Sequence, residues 1–299
     1  MGRNSSTSNV PVYRGPFGSA QAERLLWRAG FGPRLGEERK LGRMGLRAAV
    51  LSLTRPEPER LDGPSPTDEQ GNPLRPLVER MTLVWHDWFT TSNADVGSQR
   101  LMLDQNRLFR RQALGTFEKL LLCVTKDPAM LIWLSGNQNT KNAPNENYAR
   151  KLMELFTLGA GRPGGYTEHD VREQARALTG WRNDFSHERG PYDFRFDPSL
   201  HDDGPKTIFG KTGAFDWKDS CWLCVEHANH ASFFVRKLWS YFVPTAPPGP
   251  TEEALERLYA SRGYAVRPVL EAILMHPQLY LGPPIRRRSA ARQRAGRSR

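Results

Sequence analysis

Apolar residues return every three to four positions through most of this chain, the period of an amphipathic helix. The spacing predicts a helix over 19–34, stopped by Gly30 and followed by a Gly-Pro turn, and a second over 35–53 carrying Leu41, Met44, Leu46, Val50 and Leu53. Residues 76–92 follow with Leu77, Met81, Leu83, Val84, Trp85, Trp88 and Phe89. Residues 97–124 repeat the pattern with Leu101, Leu108, Phe109, Leu114, Phe117, Leu120 and Leu121. DPAMLIWL, 127–134, reads as a short helix with Pro128 in its first turn. A polar loop leads to a helix over about 145–158, broken by Gly159, Gly161, Gly164 and Gly165. Thr167, with Asp170 three residues on, opens the next helix as a capping box, and that helix runs to Gly180. Residues 218–243 carry Phe233, Phe234, Leu238, Trp239 and Phe242; the hinge PTAPPGP then leads to helices over 251–262 and 266–276.

Two stretches break the period. Residues 54–75 are dense in Pro and charge and read as a surface linker. In 182–216, Tyr192, Phe194 and Phe196 alternate with Asp193 and Arg195, and Thr207-Ile208-Phe209 follows after a turn, which predicts a small β-hairpin. The expected fold is mainly α: a multi-helix single domain over 19–282 with a small irregular or β-hairpin insertion near 190–210. Residues 1–18 are expected to be flexible, and 283–299 a disordered Arg-rich tail.

Charge sharpens this outline. The 299 residues hold 43 Lys+Arg and 32 Asp+Glu, a net +11. Seven of those arginines (286, 287, 288, 292, 294, 297 and 299) lie in the last fourteen residues, and without them the net is +4. Three readings of the tail compete: an anion- or nucleic-acid-binding arm, a solvated tail, or a truncated or frame-shifted end of a GC-rich coding sequence. A body at +4 argues against nucleic acid as the main partner. No run nears the roughly 18 apolar residues of a membrane span. The N-terminus has no apolar h-region, and three cysteines suit a reducing compartment, so the expectation is cytoplasmic, with export alongside a partner left open.

Candidate chemistry gathers on polar helix faces. In NENYARKLMELFTLG, Tyr148, Ala149, Leu152, Met153, Leu155 and Phe156 share one half of the helix, and Glu146, Asn147, Arg150 and Glu154 the other. Such a stripe can hold a metal, an anion or a polar substrate; it equally fits a solvated face laced by Glu146–Arg150 and Arg150–Glu154 pairs. His86 sits inside an apolar helix, where a histidine is a hydrogen-bonded core group or a ligand. His201-Asp202-Asp203 with Lys206 lies in the irregular stretch, where a His and carboxylates can bind a metal or move a proton, or simply form a turn. Cys221, Cys224, His227 and His230 are zinc-ligand types in a C-x2-C-x2-H-x2-H run. On one helix, positions three apart drift by about 60° per step, so all four converge only if the helix breaks or tightens to 3₁₀; the alternatives are a redox pair and, foremost, residues packed in the core.

Several segments together resemble one bacterial family, domain of unknown function 1800. They are LLWRAGFGPR, MTLVWHDWF, NENYARKLMELFTLG, GGYTEHDVREQARALTGW, HDDGPKTIFG and FFVRKLWSYFVP, in order over about residues 20–282. The chain departs from the pattern at Lys151, where Glu is expected, and at its end, where family members continue with folded sequence. The resemblance implies a mainly helical fold, brings no reaction or cofactor, and suggests as partner a neighbouring sulfatase- and phosphatase-like family, domain of unknown function 1501. Carried over by motif are Arg28, His86, Asn145, Glu146, Asn147, Arg150, Glu154, Glu168, Asp170, Arg176, His201, Asp202 and Lys206. Two functions follow as expectations. The first is a metal- or anion-dependent, hydrolase-like enzyme. It would use His86 or His201 as base or ligand, Glu146, Glu154 and Asp202 as carboxylates, and Arg150 or Lys206 for an anionic group, all in one pocket. The second is a non-catalytic partner or maturation protein with a buried, fully paired polar network.

Overall fold

A computed structural model describes residues 10–56, 67, 71 and 73–281. Most of the 54–75 linker and the whole arginine tail therefore lie outside the described residues. Of the N-terminal segment expected to be flexible, residues 10–18 pack on the other end of the chain. The Tyr13 N–H donates to Met275 O at 2.9 Å, and its ring lies 4.8 Å from that of Tyr280.

Helical periodicity is realised, but several long predicted helices are broken. α1 spans Ser19–Ala29. The 35–53 stretch divides into α2 (Glu37–Met44) and α3 (Leu46–Thr54). Gly45 between them sits at φ 78°, in the left-handed region where a side chain would be strained. α4 is Pro76–Trp88 and α5 the short turn Asn93–Val96. The 97–124 stretch becomes α6 (Gln99–Gln112) and α7 (Phe117–Thr125), because Thr116 caps a new helix by accepting from the Lys119 N–H at 3.3 Å. α8 is Pro128–Trp133 and α9 Glu146–Lys151; α9 runs directly into a π turn over Leu152–Thr157. α10 (Glu168–Ala177) opens on the predicted Thr167–Asp170 capping box. The 218–243 stretch divides at His227 into α11 (Trp217–Glu226) and α12 (His230–Ser240). α13 (Gly249–Ser261), α14 (Val266–Met275) and α15 (Pro277–Leu281) complete the described chain.

One continuous core joins these helices. Trp85, Trp88, Phe89, Phe117, Phe234, Trp239 and Tyr259 are essentially fully buried in it. Phe234 and Tyr259 stack with centroids 4.1 Å apart, locking α12 on α13. Buried indoles need a partner for their N–H, and Trp85 donates to Ala113 O at 3.2 Å.

The predicted insertion is two hairpins rather than one. β1 (Trp181–Ser186) pairs antiparallel with β2 (Gly190–Phe196), and β3 (Lys206–Ile208) with β4 (Lys211–Gly213). The strand holding Tyr192, Phe194 and Phe196 therefore pairs backward with Trp181–Ser186, not forward with Thr207–Phe209. Each hairpin closes on a glycine in the left-handed region, Gly190 at φ 68° and Gly210 at φ 74°.

Candidate functional site

The π turn between α9 and the glycine-rich break is the centre of the polar architecture. A π turn bonds five residues back instead of four, and because this one ends its helix, its last carbonyls have no donors from the chain ahead and require others. Leu158 N–H reaches Met153 O at 2.8 Å, and Thr157 Oγ1 donates to Leu152 O at 2.5 Å. The carbonyls of residues 155–157 are met by side chains from other helices. Lys237 Nζ donates to Leu155 O at 2.9 Å, Trp88 Nε1 to Phe156 O at 3.0 Å, and His230 Nδ1 to Thr157 O at 3.0 Å. A carbonyl only accepts, so His230 carries its proton on Nδ1, and Nε2 accepts from the Tyr259 hydroxyl at 3.0 Å. Burial pushes the His230 pKa down to about 4, so the ring is neutral at physiological pH.

The sequence-predicted polar residues fall in three places. The first joins α9 to the start of α10. Arg150 forks onto Glu168, Nη1 to Oε1 at 2.7 Å and Nη2 to Oε2 at 2.8 Å, and also donates to Glu146 at 3.0 Å. The hydrogen bond to Arg150 holds the Glu168 pKa below the usual carboxylate range, while the paired carboxylates raise that of Arg150. Asn147 is exposed beside them, its backbone N–H donating to Asn145 Oδ1 at 2.9 Å. The expected Arg150–Glu154 pair does not form. Glu154 instead faces Lys151 at 3.6 Å and bonds the Tyr166 hydroxyl, whose pKa burial and this carboxylate push up to about 12. The π turn starts between 150 and 154 and rotates the later position off the stripe.

The second place is the far end of α10, which clamps the 201–209 loop. Arg176 grips Asp202 through Nε at 2.7 Å and Nη2 at 3.2 Å, and Glu173 through Nη1 at 3.0 Å. Glu173 accepts from Thr207 N–H at 2.9 Å, and Asp170 from Phe209 N–H at 2.7 Å. Lys206 is fully buried, which pushes its pKa down, and its ammonium is capped by the carbonyls of Asp202 at 2.5 Å and Gly204 at 2.8 Å. His201 Nδ1 donates to Thr179 O at 3.0 Å. Burial opposes ionisation of Asp202, but Arg176 and the Gly204 N–H outweigh it and hold its pKa low. The third place is His86, which accepts from Asn106 Nδ2 at 3.0 Å and meets the Phe109 ring edge-on at 4.7 Å. Burial, then the nearby Arg110, push its pKa down.

The seven residues expected in one pocket, and Asn147 with them, thus occupy three separate settings, most of them tied to a partner within the fold. The Cys/His run also disperses. Cys221 Sγ meets Thr125 Oγ1 at 3.0 Å, Cys224 accepts from Gln174 Nε2 at 3.2 Å, and His227 accepts from Asn229 N–H at 3.1 Å, while His230 serves the π turn. Burial pushes the Cys224 thiol up to about 12 and the Cys221 thiol further. Among the described residues no group of three or more His, Cys, Asp or Glu is placed to hold a metal ion.

Sequence reasoning missed Lys237, Tyr241 and Asp87. The first lies on α12, the second caps that helix four residues on, the third is at the end of α4, and all three belong to the family-like motif segments. Their only signal was polar residues inside otherwise apolar motifs.

The family model described as "Protein of unknown function (DUF1800)" matches residues 24–292, past the boundary near 282 expected from the motifs. No curated protein and no solved structure matches the chain. No described helix is long and apolar enough to cross a membrane.

Proposed function

From the premise that this chain belongs to the DUF1800 family, we propose that it is a non-catalytic partner protein rather than a hydrolase built on its polar motifs. The observation that carries this reading is the clamp on α10: Asp170, Glu173 and Arg176 are consumed in holding Thr207, Phe209 and Asp202. A catalytic acid, base or anion clamp needs a free functional atom within hydrogen-bond reach of a substrate. Here the strongest donors and acceptors are spent on the backbone and on each other, as a structural network is. Their effect is to fix the second hairpin to the helical body, while Asn137 Nδ2 ties down the first by donating to Asn183 Oδ1 at 2.7 Å. The first hairpin presents Phe185, 66% exposed, and the second places Lys211 5.4 Å over the exposed Trp222 ring. Aromatic side chains on a rigid support suit protein recognition. The partner class that the family resemblance suggests is a domain of unknown function 1501 protein.

The test is co-expression followed by size-exclusion chromatography, with metal analysis of the isolated chain. A complex at micromolar concentration, weakened by Phe185→Ser without loss of melting temperature, is the expected result. Two separate monodisperse species would overturn it. So would a stoichiometric metal in the isolated chain that His201→Ala or Glu154→Ala removes, which would restore the hydrolase reading.

A further inference from the structure

Phe233 and Lys237 on α12 and Tyr241, the residue that caps it, follow one another at four-residue spacing, so they share one face. That face meets the last turn of α4. Lys237 Nζ lies 4.5 Å from the centroid of the Trp88 ring and 5.5 Å from that of Phe233, and gives one N–H to Leu155 O at 2.9 Å. The Tyr241 ring lies nearly parallel to Trp88, interplanar angle 25°, and its hydroxyl donates to Asp87 Oδ2 at 2.5 Å. The group lies at the surface, since Leu155 is 46% exposed and Asp87 is exposed as well. Around the amine stand two aromatic rings and a carbonyl, and the amine has two further N–H directions. A structural role accounts for the bond to Leu155. It does not require a tyrosine–carboxylate pair beside the same amine.

We propose that Lys237 is a covalent binding site for an aldehyde- or ketone-bearing ligand, held as an imine where α12 meets α4 and the π turn. The neutral Nζ attacks the carbonyl carbon. A C–N bond forms as the C=O π pair moves to oxygen, giving a carbinolamine. Asp87, near enough to act electrostatically on the amine, takes the proton leaving nitrogen. Through Tyr241 that proton is returned to the oxygen; the second nitrogen proton follows the same route, and the oxygen departs as water while C=N forms. One amine and one carbonyl give one imine and one water, with no oxidant or reductant. The ring faces draw the ammonium in. Burial of the stem works the other way and pushes the pKa down to about 8. The neutral fraction at neutral pH is then on the order of a hundredfold above that of an ordinary lysine near 10.4. A less basic amine is also a weaker nucleophile, which cuts the advantage to about tenfold in rate.

The test is reductive trapping with pyridoxal and cyanoborohydride on the whole chain, with adducts located by peptide mass mapping. Lys237 should be labelled about tenfold faster than the exposed Lys40 and Lys126. Lys237→Arg, which keeps a donor for Leu155 O, should remove that fast phase, and Asp87→Asn should slow it while leaving the other lysines unchanged. Labelling of Lys237 no faster than the exposed lysines would overturn the site. A fast phase untouched by Asp87→Asn would overturn the proton relay. Complex formation with a partner does not bear on either outcome, so this proposal stands or falls apart from the partner reading.

Discussion

His230 couples acidity to folding, and the sign and size of the effect follow from its two bonds. The folded ring must stay neutral, because a proton on Nε2 would turn the acceptor of the Tyr259 hydroxyl into a second donor. Its folded pKa is pushed down to about 4, against about 6.5 in an unfolded chain. Below about pH 6.5 the unfolded state therefore binds more protons than the folded one, and stability falls as pH falls. The loss begins near the unfolded value, levels off below about 4, and totals about 3 kcal/mol at about 1.36 kcal/mol per pK unit. Between about pH 7.5 and about pH 5 the expected loss is about 2 kcal/mol. The perturbation is His230→Gln, whose amide keeps a donor for Thr157 O and does not titrate. Urea unfolding of both proteins at the two pH values isolates the effect. His276, which burial also pushes down to about 4, adds a slope of the same sign to both proteins and cancels in the comparison. The variant should be less stable at the higher pH by about 1–3 kcal/mol, for imperfect replacement of a buried bond. Its stability should also fall by about 2 kcal/mol less on acidification. Equal pH slopes would refute the neutral, doubly bonded histidine.

Two further outcomes are expected. Arg176→Ala removes the grip on Asp202 and Glu173, which are only partly exposed, so it should cost about 1–3 kcal/mol. Hydrogen exchange at the Thr207 and Phe209 amides should accelerate with it, and unchanged exchange would show that the loop is held by packing alone. In the native chain Cys123, half-buried, should react with a thiol reagent well before Cys221 and Cys224, whose burial keeps them as neutral thiols. A native-state titration reading all three at once would contradict that placement.

The fold class and most helix starts were legible because they rest on local chemistry: the period of Leu77, Met81, Val84 and Trp88, the Pro at position 128, the Thr167–Asp170 box. The breaks were less so. Gly45 lies inside a pattern that continues across it, and only its left-handed backbone ends the helix. His227 likewise interrupts a run whose residue types all tolerate a helix. The π turn left no mark, because Leu152, Met153 and Phe156 occupy apolar positions under either period. For the polar residues, the local Glu146–Arg150 pair was readable at four-residue spacing and is present at 3.0 Å. The forked Arg150–Glu168 pair was not, since it depends on how α9 packs on α10. Lys237 and Asp87 are further apart still in sequence, and only the packing of α12 on α4 brings them near each other.

That packing has one cause that reaches through the site. The π turn leaves a row of carbonyls without helical donors, and a buried carbonyl left unpaired costs about 1–3 kcal/mol. The fold meets that demand with three donors of different reach: an indole from α4, and an imidazole and an ammonium from α12. Each donor must then be buried or half-buried to reach its carbonyl, and burial is what shifts the two that titrate. His230 becomes a neutral imidazole and Lys237 an amine less basic than usual. The unusual acid–base character of both residues is thus a consequence of the carbonyls left open where that helical segment ends. Of the two, His230 is sealed within the core, so its shift can be felt only as stability. Lys237 opens to solvent beside Asp87 and Tyr241, so the same shift is available to a ligand.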